Sequence, residues 1–251
     1  EVFTSRGILV MPPPPGQAEG AYGGVAAPPI TSDPPDHHWH RRLILPVFAP
    51  QAVAKYEQGT KDLCNALIDE FIDKGTADAA ADYAQHIPVR VISTMLGVPF
   101  DMEEEFTDWV RGVLENMHDL ERRKRSRQSI IEFFLAQVED RRNNPRENDL
   151  ITELLNTEVE GKKVPIEYVL GVCNLMLVAG IDTTWSAIGS VMWHMAQHPE
   201  HRKQLRENDD LWPTAIEELL RVYAPVTMAR IVDRDIEFQG CPMKAGDRVL
   251  M

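Results

Sequence analysis

Residues 175–185 read LMLVAGIDTTW. The stretch lies in the middle of a long apolar helical pattern, yet it holds a glycine, a carboxylate and two adjacent hydroxyls. Glycine inside a helix costs about 1 kcal/mol relative to alanine. A carboxylate in an apolar run is costly to bury unless it is hydrogen-bonded or neutralised. Two such exceptions side by side point to a functional reason. Thr183 lies four residues after Ala179, so its hydroxyl can bond back to that carbonyl and loosen the helical ladder. Gly180 removes a side chain and lets something bulky and flat approach the backbone. Asp182 supplies an acid beside the hydroxyl. The expectation is a locally widened helix that delivers protons to a ligand on its surface. On the residues alone, a helix kink with a satisfied polar pair explains the stretch equally well.

Working outward, this helix spans about 165–197 and stops before Pro199. Upstream, helical spacing over 51–74 is closed by Gly75, and a helix over 82–96 is closed by Gly97. Further helices are expected over 101–118 and 121–142, joined by a charged corner (ERRKR), and near 147–155. EVEGKKVP reads as a small turn or hairpin around Gly161. Another helix begins at Asp36, with its acidic first turn, and ends at Pro46. Downstream, short helices over 199–207 and 213–223 give way after Pro225 to strand-like runs at 226–232, 235–238 and 248–251. The Pro- and Gly-rich residues 11–35 read as a loop, or on composition as a disordered linker. The chain is thus mainly α, with a small β-sheet near its C-terminal end.

The 251 residues carry a net charge of −13. No dominant basic surface is available to neutralise phosphates, so nucleic acid is not an expected partner. Cys64, Cys173 and Cys241 are widely spaced and odd in number. They form neither a metal motif nor a disulfide framework, which places the chain in a reducing compartment, the cytoplasm. The most apolar run, residues 168–181, is interrupted by Asn174 and ends at Asp182, so no membrane span is expected. His37, His38 and His40 would splay around one helix, so no metal site is expected there. The chain begins at Glu1 and stops inside the run RVLM. Both ends read as cut.

Four motifs in order now point to a family. AGIDTT (179–184) resembles the oxygen-activating helix of the cytochromes P450, the haem-thiolate monooxygenases. EELLR (217–221) resembles their E-x-x-R helix. DPPDHHWHRRL (33–43) resembles the haem-side helix of soluble bacterial members. PVTMAR (225–230), with the short strands after it, resembles the family's segment just downstream of the E-x-x-R helix. The resemblance implies an incomplete cytochrome P450 fold over residues 1–251, without the N-terminal elements and without the Cys-bearing loop that supplies the axial ligand. None of the three cysteines sits in such a loop, so no metal ligand is expected in this chain.

By that resemblance, Asp182 and Thr183 form a proton relay to iron-bound dioxygen. Ala179 and Gly180 border the cofactor, haem b, while His37, Arg41 and Arg230 donate to its propionates. Glu218 and Arg221 form a buried structural pair that a second arginine would complete, and lacking that partner it would destabilise the fragment. The helices over 101–142 would cover a small organic substrate, with the loop before Asp33 helping to line its pocket. A ferredoxin-like or flavin redox partner would dock near the basic haem-side helix of a monomer. The fragment itself would be inactive for want of a thiolate. A non-redox helical binding or regulatory module is the alternative. It leaves Gly180, Asp182 and Thr183 unexplained. A prenyl-chain cyclase ranks lower, because Asp209-Asp210 lacks a further acid at helical spacing.

Overall fold

A computed structural model describes residues 3–4, 27–32, 34–115, 118–159 and 161–251. Most of the loop expected over 11–35, Asp33 included, lies outside these residues. The chain opens with β1 (Phe3–Thr4), followed by α1 (Asp36–Ile44), α2 (Pro50–Ala54) and α3 (Glu57–Phe71). The single helix expected over 51–74 is therefore split. Lys55 and Tyr56 form the joint, and Ile72–Lys74 tighten to a 3-10 turn before Gly75 at φ 69°.

A π-helical turn (Ala79–Ala84) leads into α4 (His86–Leu96), which Gly97 ends at φ 65°. Then come α5 (Glu103–Leu114) and α6 (Leu120–Asn143). The charged ERRKR segment is not the corner between them but the first turns of α6, which Asp119 caps by accepting from the Arg122 N–H. Glu and Arg have good helix propensity, and most of these residues face solvent while Arg123 turns inward, so nothing in them stops a helix. α7 (Leu150–Asn156) precedes the hairpin of β2 (Glu158–Val159) and β3 (Lys162–Lys163).

The long helix, α8, runs unbroken over Ile166–Gln197. Its first half is apolar all round, the pattern of a helix enclosed on every side. Val169, Val172, Cys173, Leu177 and Ile181 are buried, and α4, α5, α6 and α7 pack around it. Each such fully buried aliphatic contributes about 1.5–3 kcal/mol. α8 is long and apolar enough to cross a membrane by length and composition, contrary to the expectation from the shorter run. Its enclosure by four helices makes it a core element. Beyond Ile181 the enclosure ends, and Trp193 is 55% exposed. Phe106 and Phe134 are buried, and Trp109 and Phe133 pack against them, so these aromatics are core as their spacing suggests.

α9 (Pro199–Glu207) and α10 (Trp212–Val222) come next. Asp209–Leu211 form a 3-10 turn between them. The C-terminal strands are β4 (Ala229–Val232), β5 (Ile236–Phe238), β6 (Cys241–Met243) and β7 (Arg248–Leu250). β5 and β6 form a hairpin whose second strand is absent from the sequence-based expectation. β4 is central in a three-stranded antiparallel sheet with β1 and β7, pairing Phe3 with Val232 and Ala229 with Leu250. The sheet thus draws on the N-terminal residues as well. A two-residue strand carries no alternation to read, so β1 is invisible in the sequence.

Candidate functional site

Residues 179–185 lie where α8 leaves its enclosure, with Ile181 still buried and Asp182, Thr183 and Trp185 half-buried. The Thr183 hydroxyl donates to the Ala179 carbonyl at 2.7 Å, as its spacing requires. Thr184 does the same to Gly180 at 3.0 Å. The helix nevertheless stays α-helical throughout, so the expected widening does not occur. A carbonyl has two lone pairs, and a hydroxyl can take one without displacing the backbone donor.

Gly180 does allow a close approach, though the partner is protein. A Cβ at this position would come within 2.6 Å of Ile92 Cδ1, so the missing side chain lets α4 seat against α8. Asp182 does not bond Thr183. Its Oδ1 accepts from the indole N–H of Trp185 at 3.1 Å. Burial raises the Asp182 carboxyl above the ordinary aspartate value, and the Trp185 bond opposes that only in part. The carboxyl therefore keeps its proton to higher pH than a solvated aspartate. Two residues join the site that the motif did not name. Trp185 lies one turn on from Asp182, a pairing legible from spacing. The Arg111 guanidinium on α5 stands 5.7 Å from the Trp185 ring, a tertiary contact with no sequence signal.

The other expected cofactor residues are spread over α1 and β4. His37 is half-buried and meets His38 edge-on at 6.2 Å. Arg41 is exposed. Arg230 is half-buried and donates to the carbonyl of Ala229 at 2.9 Å. Among the described residues no hydrogen bond or ion pair joins these three. α1 is held to α8 by another histidine. The His40 ring stacks on Tyr168 at 4.9 Å, its carbonyl accepts from the Tyr168 hydroxyl at 2.7 Å, and Ser32 Oγ lies 2.6 Å from its Nδ1. Burial lowers the His40 pKa.

Glu218 and Arg221 form a two-pronged pair, with both N···O distances 2.7 Å. It is not buried as expected: the side chains are 60% and 70% exposed. No described residue covers that face of α10, so the expected destabilisation by a buried, unpartnered charge does not arise here. A fully buried charge lies elsewhere. Arg141, fully enclosed, donates through Nε to Asp149 at 3.2 Å, through one terminal nitrogen to Gln137 and Asp140, and through the other to the Gly97 carbonyl at 2.5 Å.

Cys173 is in the core, where burial pushes its thiol up to about 12. Cys64 is half-buried beside Tyr83, and Cys241 is exposed on β6. A thiolate needs a cationic or hydrogen-bonding environment, and at Cys173 burial and the Asp149 carboxylate outweigh the help of Arg141. A cavity of about 810 Å³ opens between α3 and α4, lined by Tyr56, Thr60, Leu63, Arg90, Thr94 and Glu103 among others, with no contribution from Asp182 or Thr183.

The family model described as Cytochrome P450 matches residues 106–251. Cytochrome P450 109 of Bacillus spizizenii is 32% identical over 234 residues, which cover 88% of this chain and 57% of that protein. The structure of substrate-free CYP109E1 from Bacillus megaterium superposes with a TM-score of 0.83 at 28% identity, covering 99% of this chain and 65% of that one. CYP109Q5 from Chondromyces apiculatus gives 0.79 at 32% identity, over 88% and 56%. The chain spans between 53% and 58% of the length of such curated relatives.

Proposed function

The chain belongs to the cytochrome P450 family, and on that premise we propose that it forms the distal, proton-supplying side of a haem-dependent monooxygenase. The single observation that carries this reading is the pair on α8: a back-bonded Thr183 hydroxyl beside an Asp182 carboxyl whose proton affinity is raised by burial. Haem b, when bound, would supply the iron chemistry that activates dioxygen. The fit of this chain to the group is one-sided. Ala179, Asp182 and Thr183 suit the distal face, Gly180 is already packed against Ile92, and no cysteine here is placed as a thiolate.

The roles of the chain's own residues derive from their positions. Asp182 would hold a proton to higher pH than a solvated aspartate, with its carboxyl oriented by the Trp185 N–H. Thr183 holds its hydroxyl at the Ala179 carbonyl and can pass a proton outward while accepting one from a neighbour. The buried first half of α8 excludes water behind them. His37, Arg41 and Arg230 offer cationic or N–H donors suited to two carboxylates. α5 and α6, over 103–143, would cover a small organic substrate. The exposed Arg42 on α1 suits an acidic ferredoxin-like or flavin partner in the cytoplasm, with the protein acting as a monomer. Glu218 and Arg221 would be structural, and residues 1–251 alone would be inactive.

The test is the reduced, carbon-monoxide-bound spectrum of a longer protein containing residues 1–251, set beside a haem titration of the 251-residue chain. The expected result is a thiolate-type Soret band in the longer protein and weak, non-stoichiometric haem uptake by the shorter one. Absence of that band in a longer protein that does take up haem would overturn the reading in favour of a non-redox helical module.

A further inference from the structure

Three histidines and a glutamate meet where α8 hands over to α9, in the segment HMAQHPEH (194–201). Local geometry brings them together. His194 and His198 are four apart at the end of α8, and Pro199 then opens α9, so Glu200 and His201 sit on its first turn. The rings are gathered closely: His194 and His198 are 4.4 Å apart by centroid, His198 and His201 5.1 Å, and His194 and His201 5.2 Å. One ligand atom each from His198, Glu200 and His201 falls within 4.8 Å of the others.

The separations suit one small cation. Zinc bonds to nitrogen and oxygen of about 2.0–2.1 Å set the edges of a tetrahedral site at about 3.3 Å. His194 Nε2 lies 2.9 Å from His201 Nδ1, and His198 Nδ1 lies 3.1 Å from Glu200 Oε1. Small rotations suffice to open those edges, and Glu200 and His201 are exposed and free to make them. Outer support is already in place. The Tyr223 hydroxyl after α10 lies 2.8 Å from His194 Nδ1, so its oxygen can accept a hydrogen bond from the Nδ1–H and leave the Nε2 lone pair facing the cluster. A pocket of about 480 Å³ beside it, lined by His194, His201, Gln204 and Tyr223 among others, gives access from solvent.

We propose that this junction binds one divalent transition-metal ion of the zinc class, through His198, Glu200 and His201 with His194 as a fourth ligand. Imidazole nitrogens and one carboxylate match the ligand preference of such ions over magnesium or calcium. The ion would pin the end of α8 to α9 and, through Tyr223, to α10. Binding there is independent of haem chemistry.

The experiment is calorimetric titration of the tag-free 251-residue chain with zinc chloride, alongside His201→Ala, Glu200→Gln and His38→Ala. The expected result is one equivalent bound, with affinity at least ten-fold weaker in His201→Ala and Glu200→Gln and unchanged in His38→Ala. Zinc should also raise the thermal midpoint of the unaltered chain and leave that of His201→Ala in place. Absence of saturable binding, or equal affinity in the unaltered chain and Glu200→Gln, would overturn the proposal. So would equal weakening by His38→Ala. Glu200→Gln keeps the side-chain shape, so the test stands if His201→Ala does not fold.

Discussion

Removing the carboxylate of Asp149 strikes the buried charge cluster and a helix cap at once. Arg141 and Asp149 side chains are 0% and 3% exposed, and their N···O distance is 3.2 Å. At an effective dielectric of about 20 the gross attraction at that distance is about 5 kcal/mol. Breaking a buried pair by deleting one partner costs about 3–5 kcal/mol, because the remaining charge is left without its counter-ion. Arg141 would keep Asp140, Gln137 and the Gly97 carbonyl, which places the loss near the lower end of that range. Asp149 is also the N-cap of α7, its Oδ1 accepting from the Thr152 N–H at 2.7 Å, a role worth about 1 kcal/mol. Asp149→Ala should therefore cost about 4 kcal/mol and Asp149→Asn, which keeps the cap, about 3 kcal/mol. Against a total stability of about 5–15 kcal/mol, either loss is large. The assay is urea unfolding monitored by far-ultraviolet circular dichroism, comparing midpoints at unchanged slope. A loss below about 1 kcal/mol for Asp149→Ala would refute the claim that this pair holds α4, α6 and α7 together. Equal losses for the two variants would refute the capping share.

Three further outcomes are expected from the same structure. Gly97→Ala should cost about 1–2 kcal/mol from its left-handed backbone alone. The added Cβ would also overlap the Asp149 carboxylate, so the thermal midpoint should fall by more than the backbone cost accounts for. Asp182 has a folded pKa above its unfolded value, so the native state binds more protons and stability falls as pH rises through the interval between the two. Asp182→Asn should gain stability relative to the unaltered chain above that interval, and the gain should vanish below the ordinary aspartate pKa; a pH series of urea midpoints with no such crossover would contradict the burial of this carboxyl. Arg221→Ala should leave the urea midpoint of this chain unchanged within error, because its pair with Glu218 is exposed, and a clear drop would show that the pair is covered in solution.

Much of the site is legible in the sequence because it rests on helical spacing. The Thr183 bond to Ala179 comes from a four-residue interval, and Asp182 in an apolar run announces a carboxyl reluctant to ionise. The Asp182–Trp185 bond is available on the same grounds, at three residues, although the adjacent hydroxyl is the more obvious partner on paper. What spacing cannot supply is the partner from another element. Gly180 has the composition of a landing place for a flat ligand, and Ile92 of α4 fills the space. The E-x-x-R pair has the look of a buried pair, and its exposure depends on what packs over α10.

The sequence by itself determined the succession of helices, the stops at Gly75 and Gly97, the apolar all-round half of α8 and the four motifs that mark the family. These are local properties, set by periodicity, caps and backbone preference within a few residues. Only the tertiary structure decided the rest. It brought Phe3 and Thr4 to the edge of β4, closed Arg141 among α4, α6 and α7, and gathered His194, His198, Glu200 and His201 within reach of Tyr223. Most of these contacts join different elements, and their stability comes from burial and desolvation, which depend on everything that packs around them.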